Sequence, residues 1–200
     1  MHIEFLLEEE SAEIFIKIIM NRFFPLISFR CHTFQGKMDL LKKIPNRLKG
    51  YRFNQQDDLK IIILVDRDRE DCFVLKKKLE DMAAVNGLHT RSKPKLDSTY
   101  TIINRIAINE LESWYLGDWE TLCTIFPRIP DQRNKIHYRD PDQNTWEDLL
   151  KILQKGGYYS TGLLKLELAS RMGNKIDPSR NVSNSFKQFY KAINEISTEY

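Results

Sequence analysis

Asp66 and Asp68 stand two residues apart at the end of the apolar run Leu59-Lys60-Ile61-Ile62-Ile63-Leu64-Val65. In extended backbone, residues i and i+2 point the same way. Two hard oxygen ligands on one side suit Mg²⁺, which takes one or two carboxylates and leaves the rest of its shell to water or phosphate. Glu8 follows a second strand-like run, His2-Ile3-Glu4-Phe5-Leu6-Leu7. If the two strands are parallel neighbours, Glu8 shares a layer with Asp66. A carboxylate there acts as general acid or base, or holds a metal indirectly. Each acid also has a plainer reading. Asp68 caps a helix beginning near Glu70, and Asp66 merely ends its strand. Glu9, Glu10 and Glu13 suit the start of a helix capped by Ser11, where the dipole favours negative charge. That explanation covers Glu8 least well. A Glu after one strand and an Asp-x-Asp after a later one form a constellation more specific than either half.

Glu110 and Glu112 lie just after another expected strand and would supply further carboxylates to one or two metal sites. Otherwise they are first-turn acids beside a core Trp114. Gly36-Lys37 has the form of an anion-holding helix start but lacks the other residues of a Walker loop, so a turn glycine explains it better. Arg67 and Arg69 alternate with the acid pair; they neutralise it or meet phosphate. Lys165, Arg180 and Asn181 lie late in the chain. The stretch 177–185 reads first as a turn in which Ser183 or Asn184 caps the last helix.

The elements that must position these residues alternate. Strands are expected over 2–7, 26–34, 59–66 and 100–107, with a short one over 88–91. Helices are expected to about Phe23, over 37–48, over 70–85 and around Glu110 and Trp114. Gly87 stops the third of these helices. Such alternation gives an α/β fold, a mainly parallel sheet with helices on both faces. Open sheets of this kind place ligands at the carboxyl ends of their strands. After Pro127 the texture changes to a turn-rich connection containing Pro130, Asp131 and Asn134. Three helical patterns follow, over 146–153, 163–172 and 185–196. Residues 1–127 therefore form an α/β domain, and residues 128–200 a helical C-terminal extension packed on it.

With 42% apolar residues among 200, the chain has ample material for a core. A net charge of +3 does not by itself establish nucleic-acid binding, and residues 130–200 are no basic arm, with eleven Lys and Arg against nine Asp and Glu. No run is long and apolar enough to span a membrane, and the glutamate-rich start is no signal peptide. Cys31, Cys72 and Cys123 never form a Cys-x-x-Cys pair; they read as reduced core residues of a cytoplasmic protein. The four histidines are scattered, and no zinc site is legible.

The Glu-then-Asp-x-Asp layout resembles the Toprim domain of topoisomerases, primases and overcoming-lysogenization-type nucleases. The whole chain more closely resembles the bacterial domain-of-unknown-function 4276 family of Toprim-like proteins, through segments 5–13, 36–41, 65–72, 104–118, 138–142 (Tyr138-Arg139-Asp140-Pro141-Asp142) and 180–186. Many Toprim proteins carry Glu-Gly after strand one. This chain has Glu8-Glu9, which leaves open which glutamate is functional; Glu8 lies nearer the strand end. The resemblance implies a Mg²⁺- or Mn²⁺-dependent nuclease that hydrolyses phosphodiesters of DNA or RNA, acting in bacterial anti-phage defence. Asp66, Asp68 and Glu8 would be the metal and catalytic residues, Glu9, Glu110 and Glu112 supporting acids, and Lys37, Arg67, Lys165 and Arg180 phosphate contacts. The alternative is a non-catalytic or conditionally active subunit docked on an ABC- or SMC-like ATPase. A topoisomerase would need a catalytic tyrosine in a further domain.

Overall fold

The computed structural model describes residues 1–53, 58–97, 99–130 and 140–198. Asp131, Asn134, Tyr138 and Arg139 of the turn-rich connection lie outside the described residues. Four strands, β1 (His2–Leu7), β2 (Ser28–Thr33), β3 (Leu59–Asp66) and β4 (Ile102–Ala107), form one sheet in the order β2-β1-β3-β4. Every pairing is parallel, with Leu7 opposite Leu64 and Asp66 opposite Ala107. The carboxyl ends of β1, β3 and β4 thus reach one edge. This is the expected mainly parallel α/β architecture.

The period of two along each strand divides the core. Ile62 and Leu64 of β3 join Ile3, Phe5 and Leu7 of β1 on one face. Ile61, Ile63 and Val65 join Leu6 on the other. Helices α2 (Lys37–Phe53) and α3 (Cys72–Val85) cover the second face. The first is covered by α1 (Glu10–Phe23), α4 (Glu112–Leu116), α5 (Trp119–Ile125), α6 (Trp146–Lys155), α7 (Lys165–Gly173) and α8 (Asn184–Thr198). Phe186 and Phe189 of α8 share that core with Trp114, Phe15 and Phe5.

Several local expectations are corrected. Ser11 is not the cap of α1. Glu9 holds that position in extended backbone, while the Ser11 hydroxyl donates to the Glu9 carboxylate. Asp71, not Asp68, caps α3, accepting from the backbone N–H groups of Phe73 at 2.8 Å and Val74 at 3.0 Å. α2 continues through Pro45 to Phe53, because Leu48 and Tyr51 keep packing on the sheet. Residues 88–91 form no strand: the chain turns back, leaving only single bridges from Thr90 to Lys93 and Ile102. The three cysteines are free but half-buried rather than core. Gly87 does end α3, at φ +66°, with Leu88 N–H donating to Ala83 O at 3.0 Å.

A buried knot ties the last helix to the centre. Ser183 caps α8, its hydroxyl accepting from Phe186 N–H at 3.1 Å. The Asp142 carboxylate accepts from Ser183 Oγ at 2.6 Å, Ser185 N–H at 3.0 Å and Ser185 Oγ at 3.1 Å. Ser185 Oγ in turn accepts from the Trp114 indole at 2.8 Å. Asn181, also buried, donates to Trp114 O at 2.9 Å. A side chain on Gly117 would bring its Cβ within 2.2 Å of Asn181 Oδ1, so this position admits only glycine. Asp142→Ala strands two hydroxyls and an N–H in the interior. It is expected to lower unfolding free energy by about 3 kcal/mol, read from a shift in urea midpoint at constant slope. A midpoint within error of the wild type would refute the knot's structural role.

Candidate active site

Strand geometry ends at Asp66. Arg67 N–H still bonds to Ala107 O at 2.8 Å, but Asp68 turns into the left-handed region at φ +51°, its N–H donating to Asn109 O at 2.9 Å. Asn109 is left-handed as well, at φ +59°. Asp and Asn tolerate this conformation better than other non-glycine residues. The Asp-x-Asp pair therefore does not share one extended face, and the two carboxylates part.

Asp66 continues the Ile62–Leu64 register and lies half-buried on the α1, α4 and α7 side. Burial pushes its carboxyl well above the usual range, and the charges of Glu112, Glu8 and Glu9 add to the effect. Glu112, only 1% exposed, is pushed up to about 7 by burial, against the pull of Lys165. Its Oε1 lies 3.4 Å from Lys165 Nζ, and its Oε2 is buried without a hydrogen-bond partner. Lys165, the first residue of α7, also reaches Glu9 Oε1 at 3.5 Å. Burial alone would lower the Lys165 ammonium; the carboxylates of Glu112, Glu9 and Asp66 outweigh it and hold the proton on. Tyr115, three residues beyond Glu112, places a buried and unbonded hydroxyl within the field of the same acids.

Glu8 falls on the other side of the edge. Its Oε2 accepts from Asp66 N–H at 3.2 Å, so the side chain extends the β1–β3 ladder one step beyond the strand. Burial raises its carboxyl, opposed by that bond, with Asp68 adding to the rise. Lys37, buried at the start of α2, spans Asp68 Oδ2 at 2.6 Å, Glu70 Oε1 at 3.2 Å and Arg67 O at 3.0 Å. Burial works against its charge, yet the bonds to Asp68 and Glu70 raise it overall. Glu8 and Glu9, neighbours in sequence, thus serve different clusters, Glu8 with Asp68 and Lys37, Glu9 with Asp66, Glu112 and Lys165.

The remaining named residues are placed as follows. Glu110 accepts from Trp146 N–H at 2.7 Å at the start of α6, and burial raises its carboxyl. Arg67 donates to the Asn109 side chain and leaves its buried Nε without a partner. Arg180 is not brought to the acid edge. Its guanidinium is taken by Asp118 at 2.7 Å, Thr121 Oγ1 at 2.7 Å and Asp177 at 3.2 Å, a brace between α5 and the segment before α8. Tyr115 and Asn109 were not singled out from sequence. Asn at a strand exit is a legible cue for left-handed backbone; a tyrosine at helical spacing carries no such cue.

Among the described residues, no three His, Cys, Asp or Glu side chains are disposed to share one ion. Glu8, Asp66 and Asp68 reach one edge but are not a ready three-ligand group, because Asp68 is turned toward Lys37. The donors suit a hard cation all the same. They are carboxylate oxygens, one of them the orphaned Glu112 Oε2, and the charge they carry is met in this structure by two ammonium groups.

The family model described as "Domain of unknown function (DUF4276)" matches residues 7–194. The fold is also that of the C-terminal region of the Xanthomonas campestris pv. campestris OLD protein. The platinum-phased structure aligns with a TM-score of 0.52 at 15% identity, covering 98% of this chain and 94% of that one. The mercury-phased structure gives 0.53 at 13%, covering 98% and 97%. At such identity the likeness establishes the Toprim-like fold. No curated protein matches the chain. Among the described residues, no helix is long and apolar enough to cross a membrane.

Proposed function

Because the chain belongs to the DUF4276 family, and its fold is Toprim-like, we propose that it is a divalent-metal-dependent nuclease hydrolysing phosphodiesters of DNA or RNA, in bacterial anti-phage defence. One observation carries this reading: Glu8 and Asp66 stand at the carboxyl ends of adjacent parallel strands, the Glu8 carboxylate accepting from the Asp66 backbone N–H, with buried Glu112 on the Asp66 side. Asp66 and Glu112 on one side, with Glu8 and Asp68 on the other, would hold Mg²⁺ or Mn²⁺. When bound, the ion supplies a Lewis acid that polarises the phosphoryl oxygens and favours ionised water.

The chain's own residues supply the rest. Glu8, its carboxyl raised by burial, is suited to take a proton from the attacking water and return one to the leaving oxygen. Lys165 and Lys37 already rest against carboxylates and would exchange them for phosphate oxygens as the acids turn to the metal. Arg67, with an unfilled N–H beside the edge, is the third phosphate contact.

The test is cleavage of single- and double-stranded DNA and RNA with Mg²⁺, Mn²⁺ or chelator, comparing wild type with Lys165→Gln. Metal-dependent cleavage that falls about 10²-fold in Lys165→Gln is expected. Silence of the wild type under every condition, including ATP and the neighbouring gene's product, would overturn the nuclease in favour of a subunit docked on an ATPase.

A further inference from the structure

The face of the sheet opposite the C-terminal helices is covered by α2 and α3 alone, and it carries apolar surface that nothing in the described residues covers. Val74 is 64% exposed, Val85 85% and Met38 78%. Val74, Lys78, Met82 and Val85 recur at i, i+4, i+8 and i+11, one stripe along α3. Across from them Pro45 of α2 completes a groove of about 460 Å³. A second hollow of about 580 Å³, with Met38, Leu41 and Lys42, adjoins it at Lys78. The stripe spans about three helical turns, roughly 16 Å.

The surrounding charge is one-sided. The two helices hold nine Lys and Arg against three Asp and Glu; setting aside Lys37, which is paired with Asp68 and Glu70, an excess of five remains where the whole chain has a net +3. Two of the three acids are already met, Asp39 by Lys43 at 2.8 Å and Asp81 by Lys77 at 2.6 Å.

We infer that the α2–α3 groove is a docking surface for an amphipathic helix of a partner protein, apolar along one side and acidic along its flanks. A cleft between two adjacent helices accepts the ridge of a third. The aliphatic stripe gains by burial, and the lysine rim selects for carboxylates and against basic helices. The floor of Pro45, Val74, Met82 and Val85 offers no planar group on which a base would stack, which favours a polypeptide over a polynucleotide. Met38 of the second hollow directly follows Lys37 of the acid edge, while the Val74–Val85 stripe runs down α3 from that edge; the test requires no cleavage.

The probe is a labelled helical peptide of roughly 15 residues with Leu at i, i+3, i+4 and i+7 and Glu elsewhere, beside a twin with Lys for Glu. Binding to the full chain is followed by fluorescence anisotropy and by amide shifts. Val74→Glu and Val85→Glu alter exposed positions, and an unchanged melting temperature verifies their folding. The Glu peptide is expected to bind at least about tenfold more tightly than its twin. It should weaken by a similar factor in either variant, with shifts confined to α2 and α3. Equal affinity of the twins, no binding, or binding unmoved by both variants would overturn the inference. Displacement of the peptide by an oligonucleotide would replace it with a polynucleotide surface. Self-association of the chain that Val85→Glu abolishes would replace it with a contact between two copies.

Discussion

Asp66→Asn is expected to abolish metal-dependent cleavage while the protein keeps its fold. The amide has the shape of the carboxylate but carries no charge, and it sits where Asp66 is already destabilised as an anion by burial and three neighbouring acids. The metal-free variant should therefore be at least as stable as the wild type, since it removes a like charge. If Asp66 is a hard ligand of the proposed cation, its loss should weaken the site's hold on the ion, and cleavage should fall by about 10³-fold or more. Glu8→Gln gives a different signature. Its side-chain carbonyl can still accept from Asp66 N–H, so divalent-ion binding, read by calorimetry, should largely survive. Turnover should fall by about 10²–10⁴-fold with the proton-transfer group. Glu9→Gln, which removes one of the two carboxylates in ion-pair contact with Lys165, should be mild. Full activity in both Asp66→Asn and Glu8→Gln would end the mechanism, and a heavy loss in Glu9→Gln alone would move the catalytic glutamate one residue along.

The second large effect is on stability against pH in the metal-free protein. Glu112 has an ordinary value of 4.5 and is pushed up to about 7 in the fold. Between those values the folded chain holds a proton that the unfolded chain has released. Stability from this group is therefore complete below about 4.5 and is lost as the pH rises through 7. A shift of that size amounts to about 3 kcal/mol, as an order of magnitude for a buried carboxyl. Asp66 acts in the same direction. Half-buried acids such as Asp39 and Asp177 act oppositely: their carboxyls are lowered by hydrogen bonds, and their contribution disappears on strong acidification. Urea unfolding from pH 4.5 to 8 should show wild-type stability falling relative to Glu112→Gln across that window, with added Mg²⁺ restoring more of it at the higher pH. Parallel curves for the two proteins would mean that Glu112 titrates as an ordinary glutamate.

Sequence periodicity sufficed for β1, β3, β4 and the three late helices, because continuous apolar runs and 3.6-residue spacing reflect burial directly. It placed Glu8 and Asp66 at one edge because strand ends and parallel order are topological facts. It did not separate Glu8 from Glu9, or Asp66 from Asp68, because that depends on which face each side chain takes where the strand stops. The left-handed turn at Asp68 reverses the i, i+2 rule at the one place where it mattered. Glu112 looked like an ordinary first-turn acid; its burial comes from α7 and Lys165, more than fifty residues away. Arg180 fell in a segment matching the family, yet its partner Asp118 lies 62 positions earlier, a pairing that spacing alone does not reveal. α5 was missed although Asp118 and Thr121 spell its cap, the Asp118 carboxylate accepting Thr121 N–H at 3.2 Å.

The knot around Asp142 sets an order on when α4 can be anchored. Trp114, in the same short helix as Glu112, is anchored by Ser185, 71 positions later, and Asp142 binds both Ser183 and Ser185. A chain leaving the ribosome at about 5–20 residues per second exposes every acid of the edge seconds before the residues that fix α4 have emerged. Until then α4 lacks the anchor at its Trp114, since the polar groups of the knot are free to bond water instead. A nascent chain stalled short of Ser183 would carry all the carboxylates of the edge without the bonds that anchor α4.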